Sequence, residues 1–169
     1  RTLIQKTAEK SGLSPDFIAR AEERARSRFH LNIAPIGIGV PTFTHQGIPV
    51  SHQAFFAQAD VIRELAAEGP CVIVGRCADY ILREREDCLN VFIHASMAAR
   101  ADRIVRLYGS SEKSPEKRLE EKDKRRRVYY KHYTDGDWGM SQNYHLSLDS
   151  GIIGIQRCVD IISELAKTL

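Results

Sequence analysis

The chain has 169 residues, 43% of them hydrophobic and 28% charged, with a formal net charge of +3. This length and composition predict one globular domain with a sizeable core. No apolar run approaches the roughly 18 residues that span a bilayer, so a membrane protein is excluded as an interpretation. The four cysteines form no CxxC pair and the six histidines no HExxH motif. We therefore expect no disulfide framework, no bound metal centre and a reducing, cytoplasmic environment.

The predicted elements alternate between helices and short apolar strands. Helices are expected at 2–10, 14–28, 51–68, 77–84, 97–108, 115–131 and 153–168, and strands at 71–75, 89–94 and 145–149. Ser14, Ser96 and Ser114 precede three of these helices as N-caps. Such alternation predicts an α/β fold with a mainly parallel sheet that is covered on both faces.

The segment 29–50 has no hydrophobic periodicity and contains three glycines and three prolines. Loops of this length are uncommon in compact domains unless they form lids or binding flaps, or are partly disordered. The sequence leaves open whether this segment is a flap or a contact between subunits, and it does not indicate an oligomeric state.

The stretch CVIVGRCADYI, residues 71–81, brings Arg76 and Asp79 to the end of a predicted buried strand. Ligands of parallel sheets bind beyond the carboxyl ends of the strands. We therefore expect both residues on one rim with the turns that begin at His94 and Asp149. Arginine binds phosphate through two parallel N–H groups, which favours an anion site at Arg76. The alternative is a surface salt bridge between Arg76 and Asp79.

The predicted helix 115–131 carries few apolar residues, and its basic residues concentrate in KDKRRR, residues 122–127. Its pattern predicts that it is not a core element and that it covers a crevice at the strand ends. A cationic helix there suits a polyphosphate. A solvated helix face is the alternative, and a nucleic-acid site is disfavoured because no aromatic stacking strand or groove-reading motif accompanies the helix.

Four segments together, VIVGRCADYIL, LNVFIHAS, the EKDKRR helix and YHLSLDSGIIGI, resemble the cytidylate kinase-like proteins. The resemblance implies a three-layer α/β/α P-loop fold with a mainly parallel sheet, formed by residues 1–169 as one domain. It implies an acceptor flap at 29–50 and a helical lid at 113–143. It also implies transfer of the γ-phosphoryl group of ATP, with Mg²⁺, to a nucleoside monophosphate such as CMP; the nucleobase stays open.

The same resemblance assigns roles to individual residues. Arg76 matches the arginine that contacts the acceptor nucleotide, while Cys77 stands where the family has an aspartate and Asp79 follows two residues later. Asp123 and Arg126 match a D-x-x-R pattern of the lid and are the two catalytic candidates, with Arg126 the first of them. Three further basic residues complete the expected ATP side: Arg100, Arg103 and Lys122.

Two features depart from the family pattern. Leu119 stands where the lid has a further arginine, for which Arg118 or Lys122 is the candidate substitute. No GxxxxGK[ST] motif occurs, so we expect a strand–loop–helix unit of roughly 30 residues before Arg1 and no activity from this chain alone.

On the resemblance as a whole, a nucleotide kinase is the first interpretation. A catalytically silent nucleotide-binding regulator of the same fold is the second, and a nucleic-acid-binding domain is the third.

Overall fold

Helices and one small parallel sheet make up the part of the chain that the computed structural model describes, namely residues 3–12, 14–16, 18 and 50–169. The chain divides into two compact units, Arg1–Ile81 and Leu82–Leu169. The expected flap at 29–50 and most of the expected helix 14–28 lie outside the described residues. Within the described residues, no helix is long and apolar enough to cross a membrane.

The first unit contains helices α1 (Leu3–Ser11), α2 (Val50–Glu68) and the short α3 (Ala78–Ile81). Helix α1 packs on α2, which buries Phe55 and Ile62. These bounds confirm the helices expected at 2–10 and 51–68. The beginning of the helix expected at 14–28 is also present, because the amide of Ile18 donates to the carbonyl of Ser14 at 3.1 Å.

The buried strand expected at 71–75 is wrong. Residues 71–74 form no strand in the structure, and the side chains of Val72 and Val74 are 93% and 85% exposed. A strand exists only where its backbone groups pair with a neighbouring strand. The apolar composition of this segment predicted burial, but composition does not supply that neighbour. The helix expected at 77–84 is shortened to the four residues of α3.

The second unit is built on two parallel strands, β1 (Val91–His94) and β2 (Leu146–Asp149), in a register that sets His94 opposite Asp149. Its other elements are α4 (Met97–Tyr108), α5 (Pro115–Thr134), the 3₁₀ helix η1 (Ser141–Asn143) and α6 (Ile155–Ala166). The strands and helices expected in this half of the chain are all present within a few residues. A mixed helix and strand structure with a small parallel sheet fits an α/β fold.

Helices α4 and α5 each begin at an N-cap serine. The side chain of Ser96 accepts from the amide of Ala99, and that of Ser114 from the amide of Lys117, each at 3.3 Å. Each cap satisfies one of the amides that have no partner within the first helical turn. These two serines therefore fix where α4 and α5 begin, as their sequence positions predicted.

Helix α5 is a core element of its unit, contrary to the expectation from its charge. Positions 119, 123, 126 and 130 are spaced by four, three and four residues, and so lie on one face of the helix. Leu119, Asp123 and Tyr130 on this face are buried, and α5 packs against α4. The expectation is wrong because the two charged residues at the centre of this face, Asp123 and Arg126, bind each other within the unit.

Candidate functional site

A buried carboxylate, Asp123 on α5, lies between two arginines. The guanidinium of Arg100 on α4 binds it with two nitrogens, Nη1 at 2.7 Å from Oδ2 and Nη2 at 2.9 Å from Oδ1. Nη1 of Arg126, one turn further along α5, donates to Oδ1 at 2.9 Å. Because a two-nitrogen contact is directional as well as charged, Arg100 fixes the carboxylate, and the carboxylate in turn holds one end of Arg126.

The protonation state of Asp123 follows from these contacts. Burial alone would raise the pKa of this carboxyl group, but the hydrogen bonds and charges of Arg100 and Arg126 outweigh burial and hold the pKa below its usual value. The group is therefore ionised at neutral pH. A carboxylate with a depressed pKa in the folded state stabilises the fold above its unfolded pKa, and this stabilisation is lost as the pH falls through the folded value.

Arg126 keeps most of its hydrogen-bonding capacity. Its side chain is 52% exposed, and the carboxylate of Asp123 is its one hydrogen-bond partner within the described residues. The guanidinium carbon also lies 5.8 Å from the centre of the Trp138 ring. Arg126 therefore has a fixed side, which binds protein, and an open side with N–H donors that can bind an anion.

A series of ring contacts connects Arg126 to the carboxyl edge of the sheet. The rings of Trp138 and Phe92 of β1 meet edge to face with their centres 5.3 Å apart. The Phe92 ring stacks on the His94 ring with 6.2 Å between their centres. At the same edge, Oδ1 of Asp149 accepts from the amides of Gly151 and Ile152 at 2.9 and 3.2 Å. The prediction that the turns at His94 and Asp149 share one edge is confirmed by the parallel register.

Arg76 lies in a strained turn of the first unit. Gly75, Arg76 and Cys77 all have positive φ angles, of 70°, 62° and 54°, and the amide of Ala78 donates to the carbonyl of Gly75 at 3.1 Å. This is a turn with two left-handed central residues, a conformation that favours Gly and Asn. Two ordinary side chains there cost roughly 1–2 kcal/mol each. Strain of this kind concentrates at functional sites, which supports Arg76 as a candidate.

The structure brings together three of the predicted site residues, Arg100, Asp123 and Arg126. Arg103 and Lys122 are exposed, and neither forms an ion pair with a described residue. Arg76 and Asp79 belong to the other unit, so their place on a shared rim stays a prediction.

Arg118, a proposed substitute for the missing lid arginine, donates instead to the carbonyl of Gly109 at 3.1 Å. This contact ties α5 to the residue that ends α4. The sequence reasoning also missed Trp138, although it is the single tryptophan of the chain and precedes a glycine just beyond the basic helix. Phe92 was recognised only as a residue of the predicted strand.

Metal-binding side chains do not cluster in the described part of the chain: no group of three or more His, Cys, Asp or Glu residues could hold an ion. Mg²⁺ bound with a nucleotide needs only one or two carboxylates besides phosphates and waters. We therefore treat Mg²⁺ as part of a nucleotide substrate.

The sequence profile described as the cytidylate kinase-like family matches residues 1–152. The chain belongs to the cytidylate kinase-like family, which supports a nucleotide kinase-like function. A solved structure titled "Crystal structure of uncharacterized protein from Eubacterium ventriosum ATCC 27560" is similar at 26% identity, covering 71% of this chain and 76% of that one, with a TM-score of 0.65. No curated protein matches the chain.

The ion pairs of Asp123 predict how stability depends on pH. Asp123→Asn should lower the free energy of unfolding at neutral pH by about 3 kcal/mol, because the substitution leaves the partly buried Arg100 without a charged partner. The difference from the parent protein should shrink as the pH falls below about 4, where the carboxyl of the unfolded chain takes up its proton. Urea unfolding between pH 3 and 7 measures both effects.

Asp102→Asn is the matched control, since Asp102 lies on α4, is exposed and binds no described residue. It should change stability far less at every pH. A difference between Asp123→Asn and the parent that stays constant from pH 7 to pH 3 would contradict the role assigned to the ionised carboxylate.

Proposed function

We propose that the protein transfers the γ-phosphoryl group of ATP to a nucleoside monophosphate, with CMP as the first candidate acceptor. Membership of the cytidylate kinase-like family supports a nucleotide substrate. The observation that carries the proposal is the open side of Arg126, held by the ionised Asp123. Phosphoryl transfer requires little covalent chemistry from a protein, and depends on positioning and on neutralising negative charge. A fixed arginine with free N–H donors is suited to that task.

In this proposal two parallel N–H groups of Arg126 donate to the oxygens of the transferred phosphoryl group, over which negative charge spreads in the transition state. Asp123 accepts from Arg126 and holds one of its nitrogens in place, while Arg100 holds Asp123. Arg76 binds the phosphate of the acceptor monophosphate. Mg²⁺ enters with ATP and neutralises charge on its β- and γ-phosphates.

The proposal extends to the parts of the molecule that serve this reaction. Residues 113–143 form a lid over ATP, and the sheet belongs to the three-layer arrangement of P-loop kinases. Arg103 and Lys122, both exposed, are then available to ATP. Asp79 takes part in recognising the base of the acceptor.

One observation favours the alternative, a catalytically silent nucleotide-binding regulator. Leu119 stands where the family lid carries an arginine, and its side chain is 5% exposed and packed in the core. An apolar residue there removes one positive charge from the lid, and the nearby Arg118 binds the carbonyl of Gly109. The loss of a charge that neutralises phosphate lowers turnover more than nucleotide binding, which is the property of a silent relative.

Steady-state kinetics with the protein expressed from its complete coding sequence tests the function. With MgATP and CMP, we expect CDP and ADP to form in equal amounts. Arg126→Ala should then lower kcat by ~10³-fold with a smaller change in KM, because its contact forms mainly in the transition state. Arg126→Lys should recover only part of this loss, since lysine keeps the charge but lacks the planar fork.

The matched control is Arg127→Ala, the exposed neighbour of Arg126 on α5, which should keep kcat within about twofold because Asp123 does not hold this side chain. If ATP binds but no monophosphate is phosphorylated, the protein is a catalytically silent regulator and not a kinase. If Arg126→Ala keeps kcat within a few-fold of the parent protein, Arg126 is not catalytic.

A pair of substitutions at Arg76 separates its ligand contact from its strain. Arg76→Ala and Arg76→Gly both remove the guanidinium, and both should weaken monophosphate binding by about 1.5–3 kcal/mol, with much less effect on ATP. Glycine adopts positive φ without steric cost, so Arg76→Gly should be more stable than Arg76→Ala by about 1 kcal/mol. Calorimetric titration and urea unfolding measure the two quantities.

Equal losses of affinity for monophosphate and ATP, or no loss for either, would show that Arg76 has a purely structural role. Equal stability of the two variants would show instead that the left-handed turn carries no strain.

A further inference from the structure

Arg126 is held at two places, and only one of them is an ion pair. Its Nη1 donates to Asp123, and the guanidinium carbon lies 5.8 Å from the centre of the Trp138 ring. A single hydrogen bond at one nitrogen fixes the position of that nitrogen but leaves the plane of the guanidinium free to rotate about it. The aromatic face restricts this rotation, because cations lie against the negative face of an indole ring.

The Trp138 ring itself has little freedom to move. It packs edge to face on the Phe92 ring, with 5.3 Å between the ring centres and 79° between the ring planes. The Phe92 ring also contacts the Tyr144 ring, with 5.0 Å between their centres. The next residue, Gly139, has a φ of 83°, and a Cβ atom there would come within 3.1 Å of the Phe92 ring. The turn that carries Trp138 therefore lies directly on Phe92, and β1 supports the indole through this contact.

We propose that Trp138 is a positioning residue for Arg126: its ring sets the plane in which the open N–H groups of the arginine face the transferred phosphoryl group. This inference rests on the proposed function and adds a second determinant of Arg126 geometry besides Asp123. It also predicts an internal reporter, since Trp138 is the single tryptophan of the chain and its fluorescence senses the guanidinium beside it.

The kinetic test uses Trp138→Leu and Trp138→Phe in the parent protein and in Arg126→Ala. Trp138→Leu should lower kcat about tenfold with KM for the monophosphate within about threefold, because misplacing a catalytic group affects the chemical step. Trp138→Phe keeps an aromatic face and should recover most of the loss. In the Arg126→Ala background, Trp138→Leu should have no further effect on kcat, since the group that it positions is absent.

Fluorescence of the ligand-free protein tests the contact independently of turnover. Arg126→Ala should shift the emission or change the quantum yield of Trp138, while Arg127→Ala should leave the spectrum unchanged. If no monophosphate is phosphorylated, the proposed function fails, and this arm still decides whether Trp138 contacts Arg126.

Three results would overturn the inference. These are an unchanged spectrum in Arg126→Ala, a tenfold kcat loss from Trp138→Leu that persists in the Arg126→Ala background, and a loss that appears in KM alone. Thermal unfolding of each variant, measured alongside, identifies a kcat loss that comes from an unfolded fraction, and such a loss also counts against the inference.

Discussion

The carboxylate of Asp123 and its two arginine partners determine the arrangement of the candidate site. Removing a carboxylate from water is costly unless opposite charge and hydrogen bonds replace the lost solvation. Arg100 meets this need with two nitrogens and Arg126 with one, so the same contacts that make the burial of Asp123 tolerable also join α4 to α5 and orient Arg126. The buried residues Leu119 and Tyr130 lie on the same face of α5 as Asp123 and Arg126. In this unit, the packing of the helix and the orientation of the candidate catalytic arginine have a common origin.

The two candidate regions of the molecule use different physical means to fix an arginine. Arg126 is held by neighbouring groups, a carboxylate on one side and an indole on the other, and Phe92 in turn supports the indole from the sheet. At Arg76 the backbone contributes, because a left-handed turn with Cys77 sets the direction in which the side chain leaves the chain, at a cost in conformational energy. A planar donor that must meet phosphate oxygens benefits from either kind of fixation, since phosphoryl transfer depends on the placement of charge more than on its amount.

Much of this structure could be predicted from the sequence, and the failures have physical reasons. Helix beginnings at Ser96 and Ser114 follow from local hydrogen bonding, which the sequence determines within a few residues. The strand expected at 71–75 failed because strand pairing depends on a neighbour that is distant in sequence. The buried face of α5 was missed because two of its positions are charged, and only the pairing of Asp123 with Arg100, 23 residues away, makes position 123 a core position. Asp123 and Arg126 were identified through the family pattern, whereas Trp138 became a candidate only when its ring contacts were known.

A double-mutant cycle on Arg100 and Asp123 tests the central claim most directly. The free energy of unfolding is measured in urea at pH 7 for the parent protein, Arg100→Ala, Asp123→Ala and the double variant. If the pair joins α4 to α5 as described, each single substitution strands a partly buried charge, and the double variant should be more stable than the sum of the single losses predicts by about 2 kcal/mol or more. Losses that add to within about 0.5 kcal/mol would show that the two residues do not depend on each other, and would contradict the account of how Arg126 is held.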